Sequence, residues 1–382
     1  MHQHIRLGTS LNPDLTAAIA ELHEQIAMDD CALIMIFFSV SYEPQSLCTH
    51  FGRAFPHTPI VGCSTAGEIG PRGYTSNSIV AMAFSSEMFD VSLCPFYDLN
   101  KLSVKEWHDD TVKLHSEHQL NYDISSDANT FAVLLIDGLS SKEEPFTRVV
   151  SNAISGIPLV GGSAGDDLHY EKSIIYAGGE IFSDGAVLLM ITSRLAFKPY
   201  KCQHVVAGKN FMVVTGAIPE KRIITEINGF PAAEEYARLS GVDPSIELNE
   251  TVFAEHPSIV VIGKEQYVRS VMKVNPDKSL TFYCAIDVGI VMRTAECNGL
   301  GLVGNMKNTL EKVDSDLGGI HSLLAFDCIL RKLQLSQEGE ISPMEKLLCA
   351  KDVIGFSTYG EQHNGLHINQ TCTGIAFGGA NE

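Results

Sequence analysis

One serine of this 382-residue chain lies in a pattern known from nucleophilic catalysis. Gly161-Gly-Ser163-Ala-Gly165 fits Gly-x-Ser-x-Gly, in which a sharp strand-to-helix turn exposes the serine hydroxyl. The polar residues that follow lead into Ile174-Ile-Tyr, which is typical of a strand and not of a helix. The sequence therefore favours a structural turn at Ser163. A serine hydrolase or peptidase that uses Ser163 is the alternative.

One arginine lies where an unpaired charge would be costly. Arg269 stands inside Tyr267-to-Val274, which is predicted to be a single strand. A guanidinium in that position can bind a ligand carboxylate through two parallel hydrogen bonds. The alternative is an ion pair within the protein, for which the expected partners are Glu68, Asp166 and Glu361.

Fourteen histidines supply imidazole groups. His115 and His118 lie on a polar helical stretch, and Asn364-Gly365 between His363 and His367 signals a turn, so neither pair is predicted to hold a metal. The ten cysteines form no C-x-x-C pair and are predicted to be reduced core residues. Three histidines stand beside apolar or motif residues and are candidates for an internal site, although a hydrogen-bonded structural role stays open for each: His204, His256 and His367.

The elements that position these residues repeat along the chain. An apolar run of strand length, a helical stretch and a second apolar run with a glycine-serine turn occupy 32–68, and they recur 99 residues later, from Gly62 to Gly161. A third copy at 323–361 is offset by 293 residues, from Gly62 to Gly355. Each copy is therefore predicted to be a strand-helix-strand unit.

The repeats and the segments between them predict the fold class. Continuous apolar runs indicate strands that are buried on both faces. The turn glycines predict positive φ angles or a close approach of the backbone to a ligand or a neighbouring strand. Hairpin signals such as Asn228-Gly229 and Asn275-Pro-Asp-Lys278 predict antiparallel strands between the copies. We therefore expect an α/β protein with mixed sheets of repeated strand-helix-strand units, in two domains at 1–197 and 198–382.

Bulk composition limits the possible partners. The net charge of −19 disfavours nucleic acid and anionic membrane surfaces, which would be repelled. No basic segment followed by an apolar run opens the sequence, and no stretch of about 18 apolar residues occurs in it. A cytoplasmic protein is the expectation.

These motifs resemble the FIST family. Val61-Gly-Cys-Ser-Thr-Ala-Gly-Glu68 and Val160-Gly-Gly-Ser-Ala-Gly-Asp-Asp167 resemble its N-terminal domain. Its C-terminal domain is similar to Glu226-Ile-Asn-Gly-Phe230, Gly355-Phe-Ser-Thr-Tyr-Gly-Glu361 and His367-Ile-Asn-Gln-Thr371. The resemblance covers nearly the whole chain and implies a sensory protein that binds a small ligand and is not an enzyme.

A narrower resemblance concerns the NosP-type, haem-binding nitric oxide sensors. It is carried by Phe326-Asp-Cys-Ile-Leu-Arg331 and Thr358-Tyr-Gly-Glu-Gln362. This resemblance implies a haem, a response to nitric oxide, a separate histidine kinase as partner and a role in biofilm or quorum regulation. The iron ligand would be His367, His256 or His204, with His367 as first choice, and Arg269 would bind a haem propionate. A homodimer is a further expectation.

A second hypothesis keeps the FIST sensor and replaces haem with a small acidic metabolite such as an amino acid. Arg269 and the glycine-rich turns would then form its anion site.

Overall fold

The computed structural model describes residues 4–263 and 265–380. The first repeat and its flanking elements are β1 (Ile5–Ser10), α1 (Leu15–Ile26), β2 (Cys31–Phe38), α2 (Pro44–Ala54), β3 (Ile60–Ser64), β4 (Glu68–Gly70), β5 (Gly73–Thr75), β6 (Ile79–Ser85) and β7 (Phe89–Phe96). The second repeat comprises α3 (Val104–Asn121), β8 (Thr130–Asp137), α4 (Glu143–Ala153), β9 (Leu159–Ala164), β10 (Ile175–Ala177), β11 (Glu180–Phe182), β12 (Ala186–Ser193) and β13 (Leu195–Gln203).

An antiparallel region, called here the inserted sheet, separates the second repeat from the third. It contains β14 (Val205–Ile218), β15 (Ile223–Ile227), β16 (Phe230–Pro231), α5 (Ala232–Ser240), α6 (Glu250–Glu255), β17 (Ser258–Ile262), β18 (Glu265–Arg269), β19 (Val271–Val274), β20 (Leu280–Phe282) and β21 (Val291–Cys297). The third repeat follows with α7 (Gly301–Leu317), β22 (Ser322–Cys328), α8 (Ile329–Gln337), α9 (Ile341–Cys349), β23 (Val353–Thr358), β24 (Glu361–His363), β25 (Leu366–Ile368) and β26 (Thr371–Ala380).

Three six-stranded mixed sheets, one for each repeat, confirm the predicted α/β class. Their strand orders are β1-β6-β2-β3-β10-β11, β25-β24-β9-β8-β12-β7 and β13-β26-β22-β23-β4-β5. Each sheet contains one parallel pair, formed by the two strands of its repeat: β2 with β3, β8 with β9, and β22 with β23. Antiparallel strands flank each pair, as the hairpin signals indicated.

The repeats exchange strands, which closes them into a ring. The second repeat lends β10 to β3, the first lends β4 to β23, and the third lends β24 to β9. The inner faces of all three sheets share one apolar core, with Phe37 from the first, Val133 from the second and Phe326 from the third. Burial of these faces removes apolar surface from water at about 25 cal/mol per Å2.

The first glycine of each turn has a steric reason. A Cβ on Gly62, Gly161 or Gly355 would lie 1.9–2.0 Å from a carbonyl oxygen of the neighbouring parallel strand. Close approach to a neighbouring strand is therefore confirmed as the reason for the repeated glycine. Positive φ occurs at the last turn glycine of the first and third copies, Gly67 (119°) and Gly360 (146°), whereas Gly165 of the second copy does not adopt it.

Between the second and third repeats, the predicted turn forms, but the predicted strand is interrupted. The Asn228-Gly229 turn forms between β15 and β16 as predicted. The single strand expected over 267–274 is wrong, because it breaks at Ser270 between β18 and β19. The strand that follows the predicted turn at Asn275-Pro-Asp-Lys278 is β20, at Leu280–Phe282. The boundary at 197/198 lies within β13 and stays a prediction.

Candidate functional site

The three glycine-serine turns meet at the carboxyl ends of the parallel strands. Ala66 N–H donates to Ser357 O at 3.0 Å, Gly165 N–H to Ser64 O at 3.1 Å, and Tyr359 N–H to Ser163 O at 3.1 Å. Each turn thus donates to a different partner turn, and the three bonds form a closed cycle. Carboxyl ends of strands are where open α/β folds bind ligands.

The first and third turns share a buried glutamate that two hydroxyls hold. Glu68 accepts from Thr65 and Ser78, at 2.5 Å each. Glu361 accepts from the Thr358 hydroxyl and, at 2.7 Å, from the Thr371 hydroxyl. Burial raises the pKa of Glu68 to about 7 and that of Glu361 to about 8, because removing a carboxylate from water disfavours its charged form.

The second turn departs from the other two and carries backbone strain. Asp167 and Leu168 have φ of 54° and 65°, and Tyr170 has 55°. The Asp166 carboxylate holds this loop by accepting the N–H of Tyr170, Glu171 and Lys172 at 2.7–2.9 Å and the Tyr359 hydroxyl at 2.5 Å. Left-handed backbone at a leucine is an outlier, and such strain concentrates at ligand sites.

A cavity of about 380 Å3 opens between these elements, and we call it the repeat pocket. This volume lies within the usual range for small-ligand sites, about 300–1,000 Å3. All three repeats line it: Ala66 and Tyr74 come from the first, Asp167 and Leu168 from the second, and Ile329 and Lys332 from the third. The strained loop therefore forms part of its wall.

Lys332 is the cationic side chain of the repeat pocket. Burial lowers the pKa of its ammonium group, while the carboxylates of Glu68, Asp167 and Asp327 oppose that shift. Gly67 leaves room for it, since a Cβ there would lie 2.3 Å from Lys332 Nζ. Burial raises the pKa of the Asp167 carboxyl, which lines the same pocket, although the Ser39 hydroxyl, which donates to it at 3.2 Å, favours the charged form.

A buried ion pair orients the tyrosine of the pocket. Tyr74 donates to Asp327 Oδ2 at 2.7 Å, and the fully buried Arg331 donates Nε–H to Asp327 Oδ1 at 2.6 Å. Neither terminal nitrogen of Arg331 has a partner among the described residues. Asp327 thus fixes Tyr74 and the start of α8 in one arrangement.

The structure brings together two of the four predicted binding residues, His367 and Arg269, away from the repeat pocket. Arg269 Nη1 donates to the backbone oxygens of Val268 and His367, at 3.2 and 3.3 Å. The ion pair expected with Glu68, Asp166 or Glu361 is wrong, because donors of their own and neighbouring segments occupy those carboxylates. The guanidinium also lies at the end of β18, not in the middle of a strand.

The three candidate histidines lie on separate elements. His367 lies in β25, where Nδ1 is 3.2 Å from the Gln362 amide and the buried Nε2 has no partner among the described residues. His204 is not in a strand but in the break between β13 and β14, with Nε2 3.0 Å from Gln334 Oε1. His256 is the C-cap of α6 and partly exposed. Burial lowers the pKa of His367 to about 4 and that of His204 to about 3, so both are neutral at pH 7.

Ser163 is fully buried, and its hydroxyl accepts from the Gln362 amide at 2.9 Å. The next regular element after β9 is strand β10, so the strand-to-helix context of a nucleophile elbow is missing, as the sequence predicted.

Sequence reasoning missed the charged residues that line the repeat pocket. Two signals were present: Arg331-Lys332 interrupts an otherwise apolar helix start, and Asp166-Asp167 doubles the acid that ends the other copies. Sequence reasoning also missed a charge cluster away from the pocket. In it, Arg222 of the inserted sheet donates to Glu143 and Glu144 at the start of α4.

Family comparisons agree with the repeat architecture. The FIST N domain model matches residues 32–229, and the FIST C domain model matches residues 232–364. The chain belongs to the FIST family. FIST domains are sensory domains that bind small ligands.

Named relatives of this FIST protein are distant. It is 23% identical over 212 residues to the uncharacterized protein MJ1623 of Methanocaldococcus jannaschii. The aligned region covers 54% of this chain and 41% of MJ1623, which is less than half of the relative's length. Cyanuric acid hydrolase from A. caulinodans covers 98% of both chains at 9% identity and a TM-score of 0.39. A second cyanuric acid hydrolase structure gives a TM-score of 0.43 at 9% identity, covering 98% of this chain and 99% of that one.

Among the helices of residues 4–263 and 265–380, none combines the length and apolar character needed to cross a membrane. The same residues contain no cluster of three or more histidine, cysteine, aspartate or glutamate side chains suited to a metal ion. All ten cysteines are unpaired, as predicted, but the predicted core position holds for six of them, since Cys31, Cys94 and Cys349 are half-buried and Cys297 is exposed.

Proposed function

We propose that this FIST protein is a cytoplasmic, non-catalytic sensor whose repeat pocket binds a small zwitterion such as an α-amino acid. The observation that carries the proposal is that Lys332 and Asp167, of opposite charge, line one cavity at the junction of the three repeats. A ligand carboxylate would bind Lys332 and its ammonium group would bind Asp167. Charge-assisted hydrogen bonds of this kind are about twice as strong as neutral ones.

Ligand binding at this position would reach several elements at once. Lys332 belongs to α8 of the third repeat, and Asp167 belongs to the strained loop of the second. A zwitterion between them would draw the helix and the loop together, which couples occupancy of the pocket to the relative positions of two repeats. A separate partner protein, with a histidine kinase as the expected class, would detect that change.

A thermal-shift panel tests the proposal. α-Amino acids are compared with the matching amines, which lack the carboxylate, and with the matching carboxylic acids, which lack the amine. At 100 times its dissociation constant, a true ligand adds about 2.7 kcal/mol of stability. We expect an amino acid to stabilise the protein and its two truncated analogues to do so much less; equal shifts for all three classes would contradict the zwitterion assignment.

The haem and nitric oxide hypothesis is the second candidate, and the neutral imidazole of the buried His367 favours it. Room for a porphyrin is the difficulty. Gly360 packs closely against the ring, because a Cβ on Gly360 would lie 2.6 Å from His367 Nε2, and none of His204, His256 and His367 lines the repeat pocket. Expression with haem precursor and iron followed by a visible spectrum decides this candidate, since a colourless protein that takes up no haem would rule it out.

The hydrolase alternative has less support, because the buried hydroxyl of Ser163 is engaged with Gln362. Labelling by a serine-directed fluorophosphonate that disappears in Ser163→Ala would revive it.

A further inference from the structure

The repeat pocket carries apolar surface beside its two charged groups. Leu168 of the strained loop and Leu333 of α8 line the pocket and pack against one buried cluster of the core. Tyr74 of β5 and Ile341 of α9 also line it and pack against a different buried cluster. All four side chains are half-buried. The core thus holds these side chains in place, while each keeps surface that a ligand can cover.

Helix α8 sets apolar and charged lining residues next to one another. Its lining residues follow at intervals that place them on one face of the helix: Ile329, Lys332, Leu333 and Ser336. The Lys332 ammonium group lies 6.0 Å from the centroid of the Tyr74 ring. A carboxylate bound to Lys332 would therefore lie close to the apolar surface of Leu333 and Tyr74.

The charges of the pocket leave none for the side chain of a bound amino acid. Among the described residues that line the pocket, the charged ones are Lys332 and Asp167. The main-chain carboxylate and ammonium group of the ligand would use both. A charged side chain would then lose water without gaining a partner, which is costly. The remaining polar lining residues, Ser76 and Ser336, are exposed and already bind water, so a polar side chain would gain little from them.

We propose that the amino acid bound in the repeat pocket has a bulky apolar side chain, of the leucine or phenylalanine type. This inference rests on the proposed zwitterion site and names its ligand class. Leu333, Ile341 and Tyr74 would contact the ligand side chain and determine specificity. Burial of an apolar side chain of this size corresponds to a factor of roughly 10 to 100 in affinity.

Isothermal titration calorimetry with five amino acids tests the ligand class. Leucine and phenylalanine are compared with asparagine, whose side chain has as many non-hydrogen atoms as that of leucine, and with glutamate and lysine. We expect the better of the two apolar amino acids to bind at least about tenfold more tightly than the other three. Equal or tighter binding of asparagine, glutamate or lysine would overturn this inference and leave the zwitterion site standing. Absence of binding by all five would overturn both.

Variants of the apolar wall locate the contact. Leu333→Asn keeps Lys332 and Asp167 in place and should reduce the preference for leucine over asparagine about tenfold, whereas Leu333→Met should retain the preference. Ile341→Asn, on the other helix of the wall, should act in the same direction as Leu333→Asn. Leu120→Asn, whose leucine is 80% exposed on α3, is the control and should not change the preference. A wild-type preference in both Leu333→Asn and Ile341→Asn would refute the assignment of this wall.

Discussion

At the residue scale, the two buried glutamates of the turns are chemically alike and hold the same kind of loop. Each accepts hydroxyl hydrogen bonds from its own turn and from a following strand or loop. Their carboxyl groups lie at 0% exposure, so water does not screen them. Because their pKa values are raised by burial, the free energy of unfolding of the protein depends on pH.

Glu361 contributes stability that is lost as the pH rises. Its pKa is raised by burial from the ordinary 4.5 to about 8 in the folded protein. Between these values the unfolded chain has released its proton and the folded chain has kept it, so stability falls as pH rises. The buried neutral His204 and His367 have the opposite effect below about pH 6.5, where the unfolded chain protonates them. We therefore expect the free energy of unfolding, measured in urea, to decrease between about pH 6.5 and pH 8.

The variant Glu361→Gln isolates this effect. It should lower stability at pH 5 by about 1–3 kcal/mol, because an amide cannot accept all the hydrogen bonds of the carboxyl group. It should also flatten the decrease toward pH 8, with Glu68 keeping part of the slope. Glu24→Gln, which changes an exposed residue by the same charge, serves as the control. An unchanged slope in Glu361→Gln would show that Glu361 does not retain its proton.

At the element scale, the parallel strand pairs depend on glycines that leave no room for a side chain. Gly355→Ala would set a Cβ 1.9 Å from the carbonyl oxygen of Ala325, which belongs to rigid backbone. We expect a loss of more than about 3 kcal/mol, measured as the free energy of unfolding. Gly52→Ala is the matched control, since a Cβ there contacts nothing within 4 Å and a helix gains about 0.5–1 kcal/mol from the change. Similar stability of the two variants would contradict this explanation of the repeat.

The elements were largely predictable from sequence because their signals are local. Apolar runs and turn signals identified the repeat strands, the helices between them such as α2 and α4, and the hairpins. The exchange of β4, β10 and β24 between repeats was not predictable, since three short strands of three residues carry no signal of their partner. The repeat pocket was missed for the same reason: Asp167 and Lys332 are 165 residues apart and meet only after the ring closes.

At the scale of the whole molecule, a buried charge cluster links the inserted sheet to the ring. Arg222 donates to Glu143 at 2.6 and 3.2 Å and to Glu144 at 2.6 Å, and Ala285 N–H donates to Glu144 at 3.0 Å. Glu143 is only 1% exposed in its side chain. The charges of these two carboxylates are thus balanced by one guanidinium, which belongs to the inserted sheet.

Removing that guanidinium should loosen the inserted sheet. Arg222→Met leaves two largely buried carboxylates without their cation, and we expect a cost of about 3–5 kcal/mol. In Arg222→Met, amide hydrogen exchange should accelerate relative to the wild type, and it should accelerate more in the inserted sheet than in the three repeats. Arg194→Met removes an exposed pair with Asp90 and should cost less than about 1 kcal/mol. Equal effects of the two variants would mean that Arg222 does not hold the interface.

The affinity of the repeat pocket is the most direct test of the central claim, that this FIST protein binds a zwitterion between Lys332 and Asp167. The best amino acid from the thermal-shift panel is titrated by calorimetry into the wild type, Lys332→Met, Asp167→Asn and the control Lys346→Met, whose lysine is exposed on α9. Loss of one charge-assisted hydrogen bond, about 1.5–3 kcal/mol, should raise the dissociation constant about 10- to 100-fold in each pocket variant and leave the control unchanged. A wild-type dissociation constant in both Lys332→Met and Asp167→Asn would contradict the account.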